Sequence, residues 1–194
     1  MKKETLFRKI VNYVLKNNAR IFSSKSIHNY IKTKYYNCSI NTIIKYINCL
    51  KEAFAIEEIA QYYSKAKKEL AYYGKLYNTD VCFNSLRVEA SRYDIEHNLE
   101  NIVYNELLYM GYSVKTFTIN GSEIDFLCEK DNKKIYVQVA YSVANENTYS
   151  REMKAFSILD NINQKILITN DSIDYSTSTV KHIKLPDFLL LEEL

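Results

Sequence analysis

A chain of 194 residues has room for one large domain or two small ones. With 47% hydrophobic and 25% charged residues, only 3 Gly and 1 Pro, the composition argues against global disorder and long flexible linkers, and no apolar run approaches the roughly 20 residues of a membrane span. The net charge of +3 hides an asymmetry: residues 1–80 carry 15 basic against 6 acidic side chains (+9), and residues 81–194 carry 11 against 17 (−6). A basic half followed by an acidic one implies two domains, over 1–80 and 81–194, with the first facing a polyanion. A lysine-rich solvated surface is the plainer alternative. Cys38, Cys49, Cys82 and Cys128 have neither CxxC nor zinc-ligand spacing, and no signal peptide is recognised. They read as reduced thiols of a cytoplasmic protein.

In chain order, Leu6, Ile10, Tyr13 and Val14 recur at helical spacing over residues 5–17. Ser23 or Ser24 caps a second helix over about 25–35, with Ile27, Tyr30 and Ile31 inward. Ser39 caps a third over about 40–53, whose apolar stripe is Ile40, Ile43, Ile44, Ile47, Leu50 and Phe54. Alternating Tyr-rich segments at 56–63 and 70–77, separated by the basic run 64–69, read as a β-hairpin. Three helices and a hairpin are the winged helix-turn-helix order, with the third helix entering the major groove.

A connector over 81–96 leads to a helix with Ile95, Leu99, Ile102, Val103, Leu107 and Met110 on one face, closed by Gly111 at the C′ position. Strands are predicted at about 112–119, 123–129 and 134–141, with turns at Asn120-Gly121 and Asp131-Asn132. A helix over about 147–160, strands at 165–169 and 181–184, then Pro186 and a terminal helix over 187–193 complete the chain. This α/β series implies a mixed sheet flanked by helices.

On the third helix Asn41, Thr42, Lys45 and Asn48, with Tyr46 and Lys51 beside them, lie off the apolar stripe. Asn pairs with adenine edges and Lys serves phosphate or guanine, while Lys65, Lys67 and Lys68 at the hairpin tip suit phosphate contacts. Double-stranded DNA is therefore the expected partner, with backbone binding favoured over sequence readout. A protein-docking winged helix is the alternative.

The second constellation is Glu100 on a helix, Asp125 on one strand and Gln138 on the next. Phosphodiester cleavage assisted by Mg²⁺ or Mn²⁺ needs carboxylates around the ion and gains from a nearby cation. Here Gln138 offers a neutral oxygen, and Ala140 stands where such an enzyme carries lysine. Lys154 and Lys115 are the candidates to replace that cation. Glu106, between Ile102 and Met110, caps a buried network, joins the site or edges the helix, and Glu123 neighbours the site. His28, His97 and His182 have no spacing that recommends a ligand or nucleophile role.

The run Leu6 to Ile10, Ser39 to Ile43, Tyr46 to Phe54, Glu100 to Leu108, Glu123-Ile-Asp-Phe126 and Ile135 to Ala140 together resemble the C-terminal half of prokaryotic AAA-type ATPases. The resemblance implies a winged helix followed by a PD-(D/E)XK, restriction-endonuclease-like domain of unknown function. No GxxxxGK[ST] run is present, so nucleotide chemistry is expected to need a separate ATPase partner. Asp80-Val-Cys-Phe83 also departs from the glycine-containing turn of that family. The expectation is a DNA-associated protein with a catalytically degenerate nuclease-like site. An active metal-dependent nuclease and a protein-interaction module are the alternatives.

Overall fold

A computed structural model describes residues 2–33, 38–63, 74–85, 94–119 and 122–194. The chain divides into two compact units: Met1–Ala60 with Ala71–Asn101, and Gln61–Leu70 with Ile102–Leu194. The first unit thus runs on past residue 80.

The first unit opens with α1 (Lys2–Lys16), β1 (Ile21–Phe22), α2 (Ser24–Thr33), α3 (Ile40–Glu52), β2 (Ile56–Tyr63, its last three residues falling in the second unit) and β3 (Gly74–Asn78). Two more helices follow, α4 (Cys82–Ser85) and α5 (Ile95–Tyr109), the latter running on into the second unit's sequence. β3 pairs antiparallel with both β1 and β2. The two-residue β1 is too short to leave a periodicity signal and was not predicted from the sequence. A Cβ at Gly74 would lie 2.9 Å from the Ile59 carbonyl oxygen, so the β2–β3 approach requires glycine there.

The helix ends follow from local hydrogen bonding. Ser23 Oγ accepts from the Ser26 N–H and Ser26 Oγ from the Ser23 N–H, a reciprocal cap for α2. Ser39 Oγ accepts from the Thr42 N–H and caps α3. Ile43, Ile47 and Leu50 of α3 are buried against Ile10, Ile27 and Ile31 of the other two helices. The predicted stripe was too wide: Ile40, Ile44 and Phe54 are exposed, because a stripe centred on 43, 47 and 50 turns 40 and 44 toward its flanks. Phe54 adopts φ 52° at the end of α3, with the Ala55 N–H donating to the Leu50 carbonyl. Likewise Ile95 of α5 is exposed, whereas Leu99, Val103, Leu107 and Met110 are buried.

Gly111, at φ 84°, ends α5: its N–H donates to Leu108 O and the Tyr112 N–H to Leu107 O, the paired bonds of a Schellman motif. The second unit continues through β4 (Ser113–Ile119), β5 (Ser122–Lys130), β6 (Lys133–Val139), α6 (Glu146–Ser157), β7 (Gln164–Thr169), β8 (Lys181–Lys184) and α7 (Leu185–Phe188). Strand order in this unit is β4-β5-β6-β7-β8. The β4–β5 and β5–β6 pairs are antiparallel, and the β6–β7 and β7–β8 pairs are parallel. The β5–β6 turn holds Asp131 and Asn132 at φ 51° and 62°, as a two-residue hairpin requires. α6 forms the crossover between parallel β6 and β7, and its Ala155 and Phe156 pack with Ile124, Leu127 and Leu167 of the sheet. The predicted terminal helix over 187–193 is instead the short α7. Beyond it the Leu190 and Leu191 N–H groups turn back to Asp187 and Phe188 carbonyls, tight i→i−3 bonds that end a helix rather than extend it.

Candidate functional site

The residues expected to form a metal site are divided between the two units. In the second unit, β5 and β6 pair in register from Lys130↔Lys133 to Phe126↔Val137. One step further on, Asp125 stands opposite Gln138, and there side chains replace the backbone ladder. Gln138 Oε1 accepts from the Asp125 N–H at 3.2 Å, and Asp125 Oδ2 accepts from the Val139 N–H at 2.9 Å. Gln138 Nε2 donates to Glu152 Oε2 of α6 at 2.6 Å. The other carboxylate oxygen of Glu152 receives both Arg151 Nε and Nη2, at 2.9 and 2.7 Å.

Glu152 is buried because it shares a face of α6 with Ala155 and Phe156. A carboxylate taken out of water needs compensation. The Arg151 guanidinium, 70% exposed, supplies it from outside and the Gln138 amide from within. Ala140 is buried in the adjoining core, and its N–H donates to Ile168 O at 3.1 Å. Of the two lysines considered as replacements, Lys154 is exposed, and Lys115 pairs with Glu129 at 2.7 Å. The Lys115 hydrogen bond, working against partial burial and aided by Lys134, holds the Glu129 carboxyl below its ordinary range.

Glu100 belongs to the first unit. Its Oε1 accepts from Lys75 Nζ at 2.8 Å and from Tyr77 OH at 2.6 Å, and all three residues are buried. Lys75 and Tyr77 are two apart on β3, so both project from one face toward α5. Beside them Asn78 and Asn101 bond reciprocally: the Asn78 N–H donates to Asn101 Oδ1 and Asn101 Nδ2 to the Asn78 carbonyl, both at 2.9 Å. Glu106 and Glu123 are half-buried.

The polar groups of these residues are engaged within the protein. Gln138 already accepts a backbone N–H, the buried carboxylate beside it is held by arginine, and Glu100 is neutralised by a buried lysine. Among the described residues no three His, Cys, Asp or Glu side chains gather as a metal-holding group.

On α3, Asn41, Lys45 and Asn48 are exposed at helical i, i+4, i+7 spacing. Thr42 differs: its Oγ1 lies 3.0 Å from Ser39 Oγ and takes part in the cap. Tyr46 packs edge-on against Phe7, and Lys51 pairs with Glu58 at 2.9 Å. Exposed Ile40 and Ile44 interleave with the polar row. Lys65, Lys67 and Lys68 fall outside the described residues.

Sequence reasoning missed Lys75, Arg151 and Glu152. For Glu152 a signal existed: an acid three and four residues before Ala155 and Phe156 sits on the apolar side of its helix. For Lys75 there was none, since one lysine in a basic hairpin does not announce burial. His182 is buried and bonds Thr169 Oγ1 through Nε2 at 2.9 Å, while its Nδ1 accepts the Tyr175 N–H. With Thr169 itself fully buried, this arrangement ties β7 to β8.

Comparison with known proteins adds a family match to the second half of the chain. Residues 96–188 match the model of a domain of unknown function, DUF4143. The DUF4143 match runs from the start of α5 to the end of α7 and so includes Glu100, Asp125, Gln138 and Glu152. The chain is also 30% identical over 164 residues to an uncharacterized protein of Haemophilus influenzae, a match covering 84% of this chain and 40% of that protein. The chain thus spans less than half the length of that relative. No solved structure matches it. Among the described residues, no helix is long and apolar enough to cross a membrane.

Proposed function

We propose that this chain is a DNA-associated protein whose second unit is a catalytically inactive, PD-(D/E)XK nuclease-like platform. The observation that carries the reading is the closed fork at Asp125 and Gln138. The oxygen and amide of Gln138 are spent on the Asp125 backbone and on Glu152, where a cleaving site needs acceptors turned toward a metal and a phosphate. The order of β5, β6, α6 and β7, with Asp125 and Gln138 on adjacent antiparallel strands, supports the nuclease-like ancestry.

The order α1-β1-α2-α3-β2-β3 supports a winged helix-turn-helix in the first unit, with α3 as its DNA-facing element. Asn41, Lys45 and Asn48 are the residues assigned to contact, the lysine to phosphate. The resemblance to the C-terminal half of AAA-type ATPases, together with the DUF4143 match, supports a role alongside an ATPase module. Lys45→Ala is expected to weaken duplex binding equally across sequences and lower the salt slope by about 1. Unchanged affinity in that variant would remove α3 from the interface.

A protein-docking α3 is the second reading, favoured by exposed Ile40 and Ile44 on the same surface. It predicts no duplex affinity at low salt, and a partner interaction abolished by Ile44→Ser.

A further inference from the structure

Lys165 lies in the second position of β7 and is 3% exposed. Its side chain folds back under the loop after α6, where Nζ donates to Leu159 O at 3.2 Å and to Asn161 Oδ1 at 2.8 Å. Both acceptors are neutral. Among the described residues no carboxylate lies within ion-pair distance of this ammonium, in contrast to Lys75, which meets Glu100. A buried cation without a counter-charge is costly, and a bound anion removes that cost. Two of its three N–H groups are accounted for, which leaves one for an incoming oxygen.

Asn161 and Lys165 also line an open cleft of about 640 Å³, whose opposite wall is the turn 176–181. Every polar side chain lining this cleft is an amide, a hydroxyl or an ammonium, the last from Lys165 and Lys181, and no Asp or Glu lines it. The flanking acids are turned to their own loops: Asp160 Oδ1 accepts from the Ile162 N–H, and Asp174 Oδ1 from the Ser176 N–H and hydroxyl. Ser178, Thr179 and Lys181 are exposed on the turn itself, which is closed by Thr177 N–H to Val180 O at 2.9 Å. Cations and hydroxyls without acids are the donor set of an oxyanion site.

We propose that the cleft between the α6–β7 loop and the 176–181 turn binds a phosphate-class oxyanion, with Lys165 as its buried cation and Lys181 at its rim. The cleft shares no lining residue with α3 or with the Asp125–Gln138 fork. The oxyanion is either a small phosphate or the phosphodiester of a nucleic acid, and the chemistry at the lysines is the same for both.

The test is a backbone amide NMR titration of the whole chain with inorganic phosphate, against chloride at matched ionic strength. Phosphate is expected to give saturable shifts confined to residues 161–165 and 176–181, with Lys165→Met and Lys181→Gln each weakening binding at least tenfold. Lys181 is exposed, so its variant carries the comparison if Lys165→Met does not fold. A parallel titration with a DNA duplex separates the sources: the same amides shifting in competition with phosphate identifies the phosphodiester, and phosphate alone acting identifies a small ligand. No saturable shift beyond chloride, or shifts equal in Lys181→Gln and the parent chain, would overturn the proposal.

Discussion

The Gln138 amide nitrogen lies 2.6 Å from the buried carboxylate of Glu152 and thereby ties β6 to α6 at the point where β5 and β6 part. Removing the acceptor leaves a buried amide donor unsatisfied. Glu152→Ala is therefore expected to cost about 1–3 kcal/mol in urea denaturation. On the proposed reading, an acid at 138 is not expected to create a nuclease, because the new carboxylate meets Glu152 with no cation between them. Gln138→Glu with Ala140→Lys is expected to be destabilised and to show no Mg²⁺-dependent cleavage. Cleavage by that double variant would show that the fork opens.

The Lys75–Glu100 pair predicts strong coupling in the first unit. Breaking a buried pair by removing one partner costs about 3–5 kcal/mol, because the other charge is left without compensation. Lys75→Met alone and Glu100→Gln alone should each lower the denaturation midpoint sharply, the second less, since a neutral amide still serves the Tyr77 hydroxyl. Lys75→Met with Glu100→Leu should recover much of the loss. Additive losses in the double variant would contradict the pairing.

Phe54 offers a gain. It is 79% exposed and holds φ 52°, a left-handed conformation that costs a non-glycine residue about 1–2 kcal/mol. Little packing is lost on its removal. Phe54→Gly should raise stability by about 1 kcal/mol, less than the full strain because glycine also loosens the unfolded chain. A lower midpoint would mean that the exposed ring contributes more than the strain costs.

How much of this was legible depends on the type of signal. Helices with a strict stripe and a serine cap, such as α3, and the strands around Asp131-Asn132 followed from periodicity and turn chemistry. The inward reach of polar side chains did not. Glu100 and Asp125 were singled out from spacing as potential ligands, and their hydrogen-bond partners sit far along the chain, at Lys75 and Val139. Nothing in local pattern reports which long side chain a carboxylate will find. Ile40 and Ile44 misled for the related reason that any isoleucine near a stripe reads as core.

Acid sensitivity follows from Asp171. Burial raises its carboxyl, but hydrogen bonds from the Ser142 hydroxyl, the Val143 N–H and Thr169, with His182 nearby, outweigh this and hold it below the ordinary value. The unfolded chain then takes up the proton first on acidification. This contribution is complete well above the unfolded value of about 3.9 and is lost as pH falls through it to the lower folded value. Asp171→Asn should be less stable than the parent at pH 7, with the gap narrowing toward pH 3 in urea midpoints. A gap constant with pH would mean that the carboxyl titrates alike folded and unfolded.

The central claim is DNA association without cleavage, and one measurement addresses both halves. A labelled duplex is titrated with the protein over a salt series in the presence of Mn²⁺, and the products are run on a denaturing gel. Binding that weakens steeply with salt while the duplex stays intact is the predicted result, since phosphate contacts release counterions. Metal-dependent cutting abolished by Asp125→Ala would contradict the inactive fork, and absence of binding at low salt would contradict DNA association altogether.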